Sequence, residues 1–121
     1  MNKEIKVSQL LDVYGKVLKK NHYDALDYYY NQDLSLSEIS DILGMTRQGI
    51  WDLIKRSEVY LFDLESKLLF LEKFNYLKDN LDKIRESAQK IVKLNSSNYS
   101  DLKIKSEALR IKNISEALMD I

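Results

Sequence analysis

Residues 46–56 carry side chains whose types and spacing could contact a nucleic acid if they lie on one helix. An arginine can bond guanine or a phosphate in bidentate fashion, a glutamine can pair with adenine, and an aspartate can accept a hydrogen bond from cytosine. Lysine, arginine and the N-terminus of a helix neutralise backbone phosphate. The candidate nucleic-acid-binding residues are Thr46, Arg47, Gln48, Trp51, Asp52, Lys55 and Arg56.

Each of these residues also has a plainer interpretation. Asp52 would repel phosphate, and it could instead pair with Lys55 or Arg56, three and four residues further on. Trp51 is bulky against base edges, so it could pack on the protein or on a partner subunit. Arg47 could be an ordinary surface charge. The residue types alone leave both interpretations open.

A helix-turn-helix would position these side chains. Residues 36–55 fit a motif of this kind, with Gly44 at the turn and the small Ser40 where two helices cross closely. The positions that the motif buries are all apolar: Ile39, Leu43, Met45, Ile50 and Leu53. The spacing therefore predicts one helix over residues 36–43, a corner at Gly44 and a second helix from Arg47.

Capping residues support the same boundaries. Ser35 is followed three residues later by Glu38, which is the pattern of a capping box at the start of the first motif helix. Thr46 can cap the second helix through its side-chain oxygen.

Composition and apolar periodicity favour an all-α fold. Proline is absent and glycine occurs three times in 121 residues. A first helix is expected over Lys3–Leu18, with a close neighbour at Gly15, and a second over Tyr23–Tyr30, closed by residues 31–33. We expect a helix-turn-helix domain over residues 1–73 and a C-terminal helical extension over residues 74–121.

The pattern of the C-terminal half predicts long helices with apolar stripes. The second motif helix has no stop signal after Arg56, and a phase slip between Leu71 and Phe74 indicates either a bent helix or a hairpin near Asn75. Residues 95–100 are expected to form a loop, after which Ser100 or Asp101 caps a last helix to about Met119. The stripes need burial, either by folding back on the first domain or in a homodimer.

Several classes of function find no support in the sequence. Cysteine is absent, His22 is the only histidine, and no glycine-rich phosphate loop or metal-ligand cluster occurs. We therefore expect no catalytic, metal or cofactor site, no small-molecule substrate and no enzyme activity. No signal peptide and no apolar run of about 18 residues is present, so we expect a cytoplasmic protein rather than a membrane protein.

The helix-turn-helix motif supports nucleic-acid binding, but the charge of the chain does not. Nineteen basic and 19 acidic residues cancel, whereas a nucleic-acid binder commonly has a basic excess. Residues 46–56 have a surplus of two positive charges, but residues 36–55 have a deficit of one. A nucleic-acid-binding regulator and a protein-interaction module both remain open.

Three segments resemble the YlxM-type family of small bacterial helix-turn-helix proteins. They are LDVYGKVL at 11–18, YYNQDLSLSEI at 29–39 and TRQGIWDLIKR at 46–56. The resemblance covers about residues 5–75 and implies a sigma region 4-like or winged-helix-like bundle. It also implies DNA or RNA as a partner. The family's genes tend to neighbour those of the signal recognition particle. This proximity implies a second possible partner, a component of that particle such as its GTPase.

Overall fold

The computed structural model describes residues 2–97 and 101–120, and all regular structure within them is helical. The helices are α1 (Lys3–Tyr14), α2 (Lys20–Leu26), α3 (Leu36–Leu43), α4 (Arg47–Leu68), α5 (Phe70–Ser97) and α6 (Leu102–Met119). The all-α prediction is confirmed. Since no strand occurs in the described residues, no β wing accompanies the motif there, and the sigma region 4-like alternative fits better.

The chain divides into two units, Met1–Leu71 and Glu72–Ile121. The N-terminal unit is built around α4, whose inner stripe packs against α1, α2 and α3. The core side chains are Val7, Leu10, Leu11, Tyr14, Ala25, Leu26, Ile39, Ile50, Leu53, Ile54, Leu61 and Leu71. Each large apolar side chain that is fully buried contributes about 1.5–3 kcal/mol. The core therefore fixes which face of α4 points inward.

The corner of the motif forms as the sequence predicts. Ser35 and Glu38 make both bonds of the capping box, and Gly44 ends α3 in the left-handed conformation at φ 67°. The Thr46 side chain accepts the Gly49 N–H at 3.0 Å and so caps α4. The Ser40 hydroxyl donates to the carbonyl of Met45 across the corner. The α3 and α4 boundaries follow from these four local contacts.

Two of the five motif positions expected to be buried are only half-buried. Ile39, Ile50 and Leu53 are in the core, but Leu43 and Met45 pack against its edge. These two residues flank the turn, where the chain leaves the core on one side. The prediction of full burial was wrong for them.

The first helix ends earlier than its apolar pattern suggested. After Tyr14 the chain continues as a 3₁₀ turn, Gly15–Val17, and Leu18 is extended. A Cβ on Gly15 would lie 2.6 Å from the Tyr23 ring, so the expected close approach at this glycine is confirmed. α2 begins at Lys20 rather than Tyr23 and runs into a π-helical turn, Asp27–Asn31.

A single residue separates the two longest helices. Leu69 adopts φ 56°, which ends α4, and α5 starts at the next residue. The buried Glu65 carboxylate accepts the Tyr14 hydroxyl at 2.6 Å and the Leu71 N–H at 3.0 Å. The Glu65 carboxylate of α4 thus satisfies a free N–H in the first turn of α5 and is itself bonded by Tyr14 of α1. The break therefore lies at Leu69, not near Asn75.

In the C-terminal unit, α5 and α6 bury a narrow seam of mostly small or polar side chains. These are Leu81, Ala88 and Asn95 of α5, with Ala108 and Ser115 of α6. The Asn95 side chain bonds both the N–H and the carbonyl of Asp101, whose own carboxylate caps α6 as expected. Since α5 continues through Ser97, the predicted loop is wrong for residues 95–97, and residues 98–100 lie outside the described residues.

We predict that Gly44→Ala lowers the free energy of unfolding by about 1–2 kcal/mol, because an L side chain is strained at positive φ. No atom lies within 4 Å of the position a Cβ would take, so the loss comes from the backbone alone. Urea unfolding followed by circular dichroism measures it. Gly44→Asn is the matched control and should lose less, because asparagine adopts the left-handed conformation more readily. An equal loss in both variants would contradict this account.

Candidate nucleic-acid interface

The first turns of α4 present most of the candidate residues outward. Thr46, Arg47, Gln48, Asp52 and Arg56 are exposed, whereas Trp51 and Lys55 are half-buried. The exposed set lies opposite the buried stripe that contains Ile50, Leu53 and Ile54. Packing of α4 therefore leaves one polar face free for a ligand.

Asp52 has a partner on its own helix, but a different one from those expected. Gln48 donates from Nε2 to Asp52 Oδ1 at 3.0 Å, and Arg56 Nε donates to the Asp52 backbone carbonyl at 3.4 Å. Among the described residues, no ion pair joins the Asp52 carboxylate to Lys55 or Arg56. The alternative of such a pair was wrong, and the carboxylate stays on the exposed face, where it would repel a phosphate.

Lys55 is engaged within the protein. Its ammonium lies 3.6 Å from Glu58 Oε2 and 4.1 Å from the centre of the Trp51 ring. The buried Glu58 also accepts Lys3 at 3.0 Å and the Tyr30 hydroxyl. Burial, and then the ammonium of Lys3, lower the pKa of Lys55. Lys55 is thus less available for phosphate than Arg47 and Arg56 are.

Trp51 packs against the protein through an edge-to-face contact with Tyr29. Its centroid lies 6.3 Å from that of Tyr29, with the ring planes at 72°. Tyr29 in turn meets Tyr30 edge to face at 5.0 Å. The interpretation of Trp51 as a packing residue is therefore consistent with its position, and part of its surface is still accessible.

Two basic residues from different elements act on His22. The pKa of His22 is lowered, first by burial and then by the positive charges of Lys19 and Arg56. Lys19 precedes α2, so the charge of Arg56 is reinforced from outside its own helix.

Other kinds of site are not evident in the part of the chain that the structure describes. Residues 2–97 and 101–120 contain no group of three or more His, Cys, Asp or Glu side chains placed to hold a metal ion. None of the helices in these residues combines the length and the apolar character that a membrane crossing requires.

Comparison with known proteins agrees with this geometry. Residues 1–116 match the model of a family, UPF0122, described as "Putative helix-turn-helix protein, YlxM / p13 like". The chain belongs to the UPF0122 family. The resemblance to YlxM-type proteins is thereby confirmed over more of the chain than the three segments that suggested it.

Relatives in the UPF0122 family span nearly the same length. A UPF0122 protein of Acetivibrio thermocellus is 37% identical over 121 residues, which cover 100% of this chain and 97% of that protein. One from Clostridium kluyveri is 40% identical over 101 residues, covering 84% and 85%. One from Clostridium perfringens strain 13 is 35% identical over 121 residues, covering 100% and 97%. The helix-turn-helix description of the family suggests nucleic-acid binding and names no catalytic activity.

The sequence did not reveal the residues that support the interface from behind. Lys3, Tyr29, Tyr30 and Glu58 meet around Lys55 and Trp51, although they come from α1, the π-helical turn after α2, and α4. The only local signal was the three-residue spacing of Lys55 and Glu58. The other contacts depend on how α1 and the π-helical turn after α2 pack against α4.

We predict that Glu58→Gln lowers the free energy of unfolding by about 1 kcal/mol or less, since both lysine partners are partly exposed. Glutamine keeps an acceptor for Tyr30 but removes the charge that holds Lys55 over Trp51. The emission of Trp51, the only tryptophan, should therefore change as well. Asp63→Asn, which removes only an exposed pair with Lys67, is the control and should leave the emission unchanged. Unchanged emission in Glu58→Gln would contradict the prediction.

Proposed function

We propose that this protein is a nucleic-acid-binding regulator that contacts its target through the exposed face of α4. The observation that carries the proposal is the outward presentation of Arg47, Gln48 and Arg56 on a capped helix of a UPF0122 helix-turn-helix. Residues at these positions can bond base edges and phosphates once the helix lies in a groove. Thr46 and Asp52 complete the proposed contact surface.

The proposal includes a cytoplasmic location and a role without catalysis. The YlxM resemblance further supports an accessory role in the signal recognition particle pathway, with DNA or the RNA of that particle as the nucleic acid. Since Lys55 is held by Glu58, the phosphate contacts would rest chiefly on the two arginines. Binding should accordingly be modest in strength and sensitive to salt.

A protein-interaction module is the second candidate, and one observation favours it. Beyond the motif, α4 exposes Val59 and Phe62 on the same side as Lys55, while the net charge of the chain is zero. Such a surface suits a protein partner, for example a component of the signal recognition particle. A pull-down from lysate with and without nuclease separates the two candidates, because only protein-mediated retention survives the nuclease.

We predict that a labelled mixed-sequence DNA duplex loses affinity steeply between about 50 and 200 mM salt. Arg47→Gln and Arg56→Gln should each reduce the slope of log affinity against log salt by about 1, because each removes one phosphate contact. Lys55→Gln should reduce it less, since this ammonium is already paired. Fluorescence anisotropy measures the slopes.

Lys103→Gln is the charge-matched control for these variants, because Lys103 is exposed in the other unit. It should leave the slope unchanged. A slope that falls equally in all four variants would show binding without a defined contact surface. Absence of any binding, together with nuclease-resistant retention of proteins, would favour the second candidate.

We also propose that the protein forms a homodimer through the C-terminal unit. α5 and α6 each carry two rows of residues at seven-residue spacing. One row on each helix is buried in the seam described above. The other rows are Leu77, Ile84 and Ile91 on α5 and Ile104, Ile111 and Leu118 on α6, all between 41% and 51% exposed. Ile84, Ile91 and Ile111 line one shared groove of about 380 Å³. An apolar face of this kind on a helix pair suits a second copy in a four-helix bundle.

The size of this face is sufficient for a dimer. α6 has 18 residues, so the length that two helices share is about 27 Å, and two helix widths of about 10 Å give roughly 500 Å² per copy. A pair of copies would bury about 1,000 Å², near the lower limit for a specific interface. An interface of this size is compatible with a dimer.

We predict that the double variant Ile84→Glu, Ile111→Glu is monomeric at concentrations where the unchanged protein is dimeric, because both substitutions place charge in the groove. Light scattering coupled to size exclusion measures the mass, and circular dichroism confirms that the helices persist. Val59→Glu, at an exposed apolar residue of the N-terminal unit, is the control and should leave the mass unchanged. A monomeric mass for the unchanged protein would refute this part of the proposal.

A further inference from the structure

A concave site lies beside the first turn of α4, next to the exposed face described above. It is lined by Tyr29, Leu36, Arg47, Gln48 and Trp51, and its volume is about 450 Å³. This volume is within the range of roughly 300–1,000 Å³ typical of small-molecule sites. A motif that read only the edges of paired bases with α4 would not need a recess between α4, the π-helical turn after α2 and the start of α3.

The aromatic walls of this site are fixed before any ligand arrives. Tyr29 and Trp51 meet at 72°, so their rings form two adjoining sides of the recess. The Lys55 ammonium lies over the Trp51 ring, and Glu58 holds that ammonium. Tyr30 braces Tyr29, and its hydroxyl is bonded to Glu58. Preformed aromatic surfaces lower the entropy cost of binding a flat ring.

The rim of the site is polar and carries a positive charge. Arg47 is exposed, and none of the described residues forms an ion pair with it. The Gln48 side chain is partly engaged by Asp52, which holds it in place and leaves its carbonyl oxygen free to accept a bond. The site therefore combines aromatic walls, a cation and an amide within one recess.

We propose that this recess binds one unpaired nucleobase, with Tyr29 and Trp51 contacting the base and Arg47 contacting the adjacent phosphate. The proposal rests on the nucleic-acid-binding function and specifies its target. A base within a duplex has both faces covered by its neighbours, so only a base in a loop, bulge or single strand can enter such a recess. The ligand is thus an unpaired nucleotide of RNA or of DNA.

A nucleotide suits the site better than a peptide does. An aromatic peptide side chain could occupy the same walls, but it brings no anion of its own to the rim. Each nucleotide places a phosphate one sugar away from its base, where Arg47 could reach it. Gln48 at the rim can also form hydrogen bonds with the edge of a base. A phenylalanine or leucine side chain has no polar group with which to form such bonds.

Trp51 provides a direct test, because it is the only tryptophan in the chain and lies in the wall of the site. The probes are single strands of about 20 nucleotides, longer than the roughly 4–16 that single-strand sites cover, in RNA and DNA forms. The blunt duplex of the same DNA strand and a blocked Asp-Phe-Leu-Asp peptide are compared with them. We expect the single strands to quench Trp51 emission at concentrations where the duplex and the peptide do not.

Variants separate stacking from general electrostatic attraction. Tyr29→Ala should weaken single-strand binding, measured by anisotropy of a labelled strand, by about 5- to 150-fold. Tyr29→Phe keeps the ring and should bind as the unchanged protein does. Tyr76→Ala removes a tyrosine ring that is more exposed than Tyr29 and lies in the other unit, and it is the control. If Tyr29→Ala does not fold, the quenching of the unchanged protein and the Tyr29→Phe comparison still decide the question.

The outcomes distinguish this inference from the function on which it rests. Quenching by RNA alone, by DNA alone or by both supports it and identifies the source of the nucleotide. Equal affinity for duplex and single strand, with no effect of Tyr29→Ala, overturns the unpaired-base site but leaves nucleic-acid binding through α4 intact. Stronger quenching by the peptide overturns the inference in favour of a protein ligand. Binding to none of the nucleic acids overturns both proposals.

Discussion

The packing of the inner stripe of α4 against three shorter helices is the interaction on which the rest of the N-terminal unit depends. Ile50, Ile54 and Leu61 are fully buried there, and each contacts a core supplied by segments far apart in the chain. Because a helix that buries one stripe necessarily presents the opposite one, this packing also decides which polar residues face outward. The packing of the core therefore orients the polar side chains of the candidate interface, and no further contact is needed to turn them outward.

Two buried carboxylates on α4 add specificity to this apolar packing. Glu58 gathers Lys3, Lys55 and the Tyr30 hydroxyl, and Glu65 joins Tyr14 to the start of α5. A buried charge is unfavourable unless its partners are in place, so each carboxylate penalises arrangements in which α1 is displaced along α4. The apolar contacts alone would tolerate such displacement more readily. The contacts of Glu58 with Lys55 and Tyr30 also hold the aromatic walls of the recess in place.

Local signals in the sequence predicted the motif well and the long-range contacts poorly. Ser35, Glu38, Gly44 and Thr46 act on neighbours within a few residues, so their roles could be assigned from spacing alone. The break at Leu69 could not, because leucine is not a residue that marks a left-handed turn and the contact that supports the break comes from Tyr14. Likewise, the contacts of Glu58 with Lys3 and Tyr30 depend on segments far from α4 in the sequence, whereas the charge of Lys55 suggested a free phosphate ligand. The contact roles of the seven interface residues stay predictions.

The alternating seven-residue rows of α5 limit how the length of this helix can change during evolution. Each inserted residue turns the rest of a helix by about 100°. An insertion of two or three residues midway along α5 would therefore carry Ile91 away from the face that holds Ile84 and would turn Asn95 out of the buried seam that contains Leu81. An insertion of seven residues would rotate the helix by only about 20° from its former phase. Length variants that preserve both the internal seam and the apolar face should consequently differ by whole repeats of seven.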